Sequence, residues 1–151
     1  MSIVILPAEL ERIREHGRRD YPNECCGFLL GREMNGRRVV TEARPAGNAR
    51  TDSARNRFLI TPEEYREGDG YARQHKLDVL GFYHSHPDHP ARPSEFDRTH
   101  AWPWFSYAIL SVRQGEAQEL TSWQLSEQLQ FEAEEVETGF RTLEDVAQHA
   151  R

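Results

Sequence analysis

A chain of 151 residues, 37% hydrophobic and 29% charged, has the size and balance of one folded domain able to bury about two-thirds of its unfolded surface without staples, which excludes global disorder. A net charge of −6 argues against a nucleic-acid backbone as main partner. The longest early apolar run, Ile3-Val4-Ile5-Leu6, is too short for a signal-peptide core or a spanning helix, so the expected setting is the cytoplasm, with no membrane partner.

The chain opens on a short apolar strand over 3–6. A helix follows, started by Pro7 and stopped at Gly17 or the Asp20-Tyr21-Pro22 segment, with Leu10, Ile13 and Arg14 at three- and four-residue spacing. Residues 25–31, Cys-Cys-Gly-Phe-Leu-Leu-Gly, form an unbroken apolar run between turn formers, the pattern of a strand buried on both faces. Cys25 and Cys26 are the only cysteines; neighbours cannot easily meet disulfide geometry, and the pair reads as small buried thiols rather than metal thiolates. Asn35-Gly36 marks a hairpin turn into a strand over 37–43. From Arg44 to Arg57 there is no apolar periodicity and a loop is expected; its Arg44, Arg50, Arg55 and Arg57 face a single Asp52, read as a solvated loop with docking of an acidic partner as the alternative.

Phe58 to Ile60 reads as a brief strand. Thr61 as N-cap, Pro62 at N1 and Glu64 at N3 predict a helix to about His75. A strand over 77–84 ends in the histidines, a Pro-rich loop occupies 87–93, and Ser94 opens a short helix. Strands over 105–112, 116–125 and 129–136 are expected to form an antiparallel meander. One domain over 1–138 is followed by a tail over 139–151, a frayed helix or disordered, with Leu143, Val146 and Ala147 at helical spacing. No internal repeat and no linker interrupts the pattern.

Five residues carry chemistry. His84 and His86 stand at i and i+2, on one side of a strand with Cα atoms about 6.6 Å apart, so both imidazoles can converge on one ion. With seven histidines in the chain the pair alone is a weak signal. An apolar strand before it, Pro87 after it, and an acid on a new helix sharpen it. Asp97 is the expected third ligand, leaving one position open for water; its other reading is the N3 acid of a capping box with Ser94. Both are compatible: the Ser94 oxygen accepts the N3 N–H while its hydroxyl proton remains available to a tetrahedral oxyanion. Glu24, taken singly, reads as surface charge, but it directly precedes the buried strand, where a carboxylate needs a partner, and a metal-activated water suits it as general base. The set points to a zinc hydrolase with one ion.

Pro22-Asn23-Glu24-Cys25-Cys26-Gly27, Gly81-Phe82-Tyr83-His84-Ser85-His86-Pro87 and Pro93-Ser94-Glu95-Phe96-Asp97 together resemble the motif set of the JAMM (MPN-plus) metallopeptidases, in particular their compact prokaryotic branch. The resemblance covers residues 1–137, and none of the five motif positions departs from it. It implies an α/β (mixed α+β) fold, a mixed, largely antiparallel β-sheet flanked by helices. It also implies one zinc ion on His84, His86 and Asp97, Glu24 as general base and Ser94 at the oxyanion. The implied reaction is hydrolysis after the C-terminal Gly-Gly of a ubiquitin-like or sulfur-carrier protein substrate.

Two other readings stand beside it: a non-catalytic scaffold of the same fold, and a zinc amidase acting on small molecules. A nucleobase deaminase is disfavoured by the missing Cys-x-x-Cys pair. Asp88, His89 and His100 read as loop and surface residues. Trp102, Trp104 and Phe105 read mainly as core packing beneath the helix 94–101, with a docking wall as the alternative. No motif marks an oligomeric state.

Overall fold

The computed structural model describes residues 2–47 and 60–149. In chain order the elements are β1 (Ser2–Ile5), α1 (Pro7–Asp20), β2 (Cys26–Met34), β3 (Arg37–Ala46), α2 (Pro62–Gln74), β4 (Asp78–Pro87), α3 (Glu95–His100), β5 (Ser106–Arg113), β6 (Glu116–Leu125), β7 (Phe131–Glu134), β8 (Val136–Glu137) and α4 (Leu143–Gln148). The strands form one mixed sheet in the order β7-β6-β5-β4-β2-β3-β1-β8, flanked by helices. β2 pairs antiparallel with β3 and β4, β6 antiparallel with β5 and β7, whereas β4–β5, β1–β3 and β1–β8 are parallel. Among the described residues no helix is long and apolar enough to cross a membrane.

The sheet curls. α1 touches β3 and β6, which lie four strand spacings apart, about 19 Å in a flat sheet, while a helix is only about 10–12 Å across. One residue, Glu135, separates β7 from β8, so the two outer edges also lie close together. Inside this curl Leu10 and Ile13 of α1 meet Ile3, Ile5, Leu29, Val40, Leu80, Tyr83 and Leu110. The opposite faces of the same strands supply the second layer: Phe28, Leu30, Val79, Phe82 and Tyr107 pack on Tyr65, Tyr71 and Ala72 of α2. Val146 of α4, fully buried, seats on Val4 and Val39.

Local chemistry explains the element ends. Thr61 accepts from the Glu64 N–H at 3.2 Å while Glu64 returns a bond to the Thr61 N–H at 3.1 Å, a closed capping box. Gly27 is required by close approach, since a Cβ there would sit 2.3 Å from the Tyr83 ring.

Three expectations need correction. β3 continues to Ala46, so residues 44–46 are strand and not loop: Arg44, Pro45 and Ala46 pair with Phe28, Gly27 and Cys26, because the buried β2 backbone must be hydrogen-bonded along its length. The single strand over 129–136 is two strands on opposite edges, β7 closing the meander and β8 crossing to β1, where the Glu135 carbonyl accepts from the Ile3 N–H at 2.9 Å. Ile60 is not in a strand. Arg50, Asp52, Arg55, Arg57, Phe58 and Leu59 lie outside the described residues.

Candidate metal centre

β4 is central, between antiparallel β2 and parallel β5, and its alternation sends Phe82, His84 and His86 to the α2 face and Tyr83 and Ser85 to the α1 face. The two imidazoles converge. His84 Nε2 lies 3.1 Å from His86 Nε2, and the Asp97 oxygens lie 3.3 Å from His84 Nε2 and 3.2 Å from His86 Nε2. Ligands on one tetrahedral ion at 2.0–2.1 Å stand about 3.3–3.4 Å apart, and the two Nε2 atoms, with Asp97 Oδ1 toward His84 and Oδ2 toward His86, have the spacing of ligands around one ion. His86 Nδ1 is 2.9 Å from the Pro90 carbonyl. A carbonyl oxygen only accepts, so Nδ1 is the donor there and Nε2 is the nitrogen turned inward, the arrangement a metal ligand needs. Burial pushes the His84 imidazole below its ordinary pKa against the opposing pull of Asp97, favouring the neutral form.

Asp97 arrives on α3 through a capping box. The Ser94 hydroxyl accepts from the Asp97 N–H at 3.1 Å, and Asp97 Oδ2 accepts from the Ser94 N–H at 2.8 Å. The same carboxylate therefore fixes its own helix and faces both imidazoles. Burial works to raise its pKa, but the neighbouring His84 and His86 imidazoles and the Ser94 N–H favour the carboxylate, outweigh it and hold the carboxyl well below the usual carboxylate range.

Glu24 comes from the connection between α1 and β2. One of its carboxylate oxygens lies within 4.8 Å of a nitrogen of both histidines. Only 4% exposed, it is pushed up to about 8, first by burial and then by the charge of Asp97. Neither cysteine joins the cluster; both are buried free thiols.

Two clefts meet at this point. A groove of about 530 Å³, mostly apolar, reaches His84 and Asp97 past Ile60, Tyr65, Phe82, Trp102 and Phe105. A polar cleft of about 400 Å³ reaches His86 and Asp97 past Glu24, His89, Arg92 and Ser94. Sequence reasoning missed the groove, although Phe82 shares a strand face with His84 by its two-residue spacing. The tryptophans are also corrected: Trp102 is 69% and Trp104 51% exposed, because the chain turns outward after α3. Trp102 lines the groove, while Trp104 lies 4.2 Å from the Arg38 guanidinium. Phe105 does pack, against Phe82 and Tyr65. Asp88 accepts from the Tyr21 hydroxyl and the Gln114 N–H, and the His100 ring stacks on Phe96.

Residues 7–126 match the family model of prokaryotic homologues of the JAB domain. Over 103 residues, 68% of this chain and 72% of the relative, the sequence is 37% identical to a desampylase of Haloferax volcanii. It is 28% identical over 89 residues to tail tip assembly protein K of Escherichia phage N15, spanning 32% of that protein. The solution structure of a Desulfitobacterium hafniense protein superimposes with a TM-score of 0.81 at 31% identity, covering 97% of this chain and 99% of the other. A Salinibacter ruber protein gives 0.71 at 42% identity, covering 91% of each. A JAB1/MPN domain protein from Archaeoglobus fulgidus, 18% identical with a TM-score of 0.56 over 91% of this chain and 99% of its own, shares the fold.

Proposed function

We propose, from the premise that this chain belongs to the prokaryotic JAB-domain family, that it is a zinc-dependent peptidase or isopeptidase of the cytoplasm. It hydrolyses the bond after the C-terminal Gly-Gly of a ubiquitin-like or sulfur-carrier protein. The observation that carries the reading is the convergence of the His84 and His86 Nε2 atoms and the Asp97 carboxylate at 3.1–3.3 Å, with the Glu24 carboxylate beside them. The relationship to a protein named desampylase supports the substrate class.

His84, His86 and Asp97 would hold one zinc ion, which when bound lowers the pKa of a water and polarises a carbonyl. Glu24 takes a proton from the attacking water and returns it to the departing amine, its buried carboxylate standing within reach of both histidines. Ser94, whose oxygen accepts from the Asp97 N–H, keeps its hydroxyl proton to donate to the carbonyl oxygen as that atom gains charge. The groove and the polar cleft let an extended chain run past the cluster, a path that suits a Gly-Gly segment, which has no side chains to accommodate.

The test incubates the zinc-loaded protein with a ubiquitin-like carrier protein extended beyond its Gly-Gly by an amide-linked peptide, and weighs the products. Cleavage after the second glycine, abolished in Glu24→Gln with zinc still bound, is the expected result. Zinc uptake with no cleavage of carrier tails or small amides returns the chain to the scaffold reading, and cleavage of small amides alone makes it an amidase.

A further inference from the structure

His84 and His86 are separated by a residue that faces the other way, fully buried, and its hydroxyl makes a bond to the segment carrying Glu24. The Cys25 N–H donates to Ser85 Oγ at 2.9 Å, and the Ser85 N–H donates to the Cys25 carbonyl at 3.1 Å. We infer that Ser85 is a positioning residue for Glu24: its hydroxyl clamps the peptide plane that bears the Glu24 Cα, and so sets the distance from the Glu24 carboxylate to the histidine pair. The inference rests on the peptidase reading given above.

The argument begins with the ladder between β2 and β4. Its last registered pair is Cys26 with His84. Were the ladder to continue, Cys25 and Ser85 would exchange two backbone bonds, Ser85 N–H to Cys25 carbonyl and Cys25 N–H to Ser85 carbonyl. Only the first is made. The second is replaced by the Ser85 side chain, so β2 peels away from β4 at this residue without stranding a buried N–H. The departure matters because the Cys25 N–H and the Glu24 Cα belong to one rigid peptide unit. Holding that N–H orients the bond from which the Glu24 side chain grows.

The neighbouring back-face residue supports the same segment from its other end. The Tyr83 hydroxyl is 2.7 Å from His16 Nδ1, and His16 Nε2 is 3.3 Å from Asp20, the last residue of α1 before the Glu24 connection. Four consecutive residues of β4 thus alternate between two tasks: Tyr83 and Ser85 hold the base-bearing segment, His84 and His86 face the acid of α3.

The experiment compares Ser85→Ala and Ser85→Thr with the unaltered protein. The substrate is a carrier protein ending in Gly-Gly linked to an aminocoumarin amide. Zinc content is measured alongside, and amide hydrogen exchange is followed on the metal-free full chain. Ser85→Ala should lower kcat about 10- to 100-fold, as a displaced catalytic group does, with KM within about twofold and zinc content unchanged. The Cys25 amide should exchange faster, and Ser85→Thr, which restores the oxygen, should recover both kcat and protection. Unchanged kcat in Ser85→Ala, a loss confined to KM or zinc content, an unchanged Cys25 amide, or a collapse of melting temperature would each overturn the assignment. Failure of the unaltered protein to cleave any tail sinks the peptidase reading separately, and is seen before a variant is made.

Discussion

Replacing Glu24 by Gln should change the stability of the metal-free protein by an amount and a sign that depend on pH. The native carboxyl is pushed from 4.5 to about 8 by burial and by the charge of Asp97, so the folded state holds its proton where the unfolded chain has already released it. Stability from this group is complete below about pH 4.5 and is lost as pH rises toward 8. At about 1.4 kcal/mol per pH unit, that interval corresponds to about 5 kcal/mol. Gln keeps the shape and does not titrate, but its buried amide needs a partner at a cost of about 1–2 kcal/mol. The expected gain is therefore about 2–4 kcal/mol at pH 8.5, turning at pH 5 into a loss of up to about 1 kcal/mol, where the amide cost outweighs the proton's contribution. Urea unfolding of chelator-treated wild-type and Glu24→Gln proteins across pH 5–8.5 measures it. A difference between the two proteins that stays flat across that range refutes the reasoning, and a gain undiminished in an Asp97→Asn background removes Asp97 as a contributor.

Asp97→Asn should keep the α3 cap, because an amide oxygen still accepts from the Ser94 N–H, yet lower zinc affinity at least about 100-fold by removing a charged ligand; metal analysis after dialysis against graded zinc separates the two effects. Gly27→Ala would set a Cβ 2.3 Å from the Tyr83 ring and should cost about 1–3 kcal/mol, read from the denaturation midpoint. Val146→Ala removes two buried carbons from the contact with Val4 and Val39 and should cost about 2 kcal/mol; no loss of stability would show that α4 does not contribute to the fold.

Features written in neighbouring residues were legible. The Asn35-Gly36 turn has φ of 53° and 76°, the left-handed values those residue types accept. The Thr61 and Ser94 capping boxes follow from three-residue spacing, and the i, i+2 histidines share a face because a strand alternates. What escaped is long-range. The parallel pairing of β1 with β3 and β8 depends on which distant backbone reaches an open edge, and nothing in Val136-Glu137 signals it. The end of β3 was hidden by Arg44 and Pro45, whose polarity and missing donor are outweighed by the need of β2 for a partner. Trp102 and Trp104 carried an apolar signal, but the connection over 101–105 between α3 and β5 turns them outward, and only the opposing Arg38 and the groove reveal what each covers. The approach of Glu24 to a histidine pair 60 residues later was reached through its place before a buried strand and through the family pattern, since no spacing rule spans such a distance.

Both ends of the described chain converge on one residue: Ser2 pairs backbone to backbone with Arg37, and the Arg37 guanidinium donates to the carbonyl of His149. The strand carrying the histidines is separated from this edge by β2 and β3. A short linker joining these ends, with a new opening cut at the exposed Gln114-Gly115 turn, should give a circularly permuted protein whose histidine–aspartate centre is undisturbed.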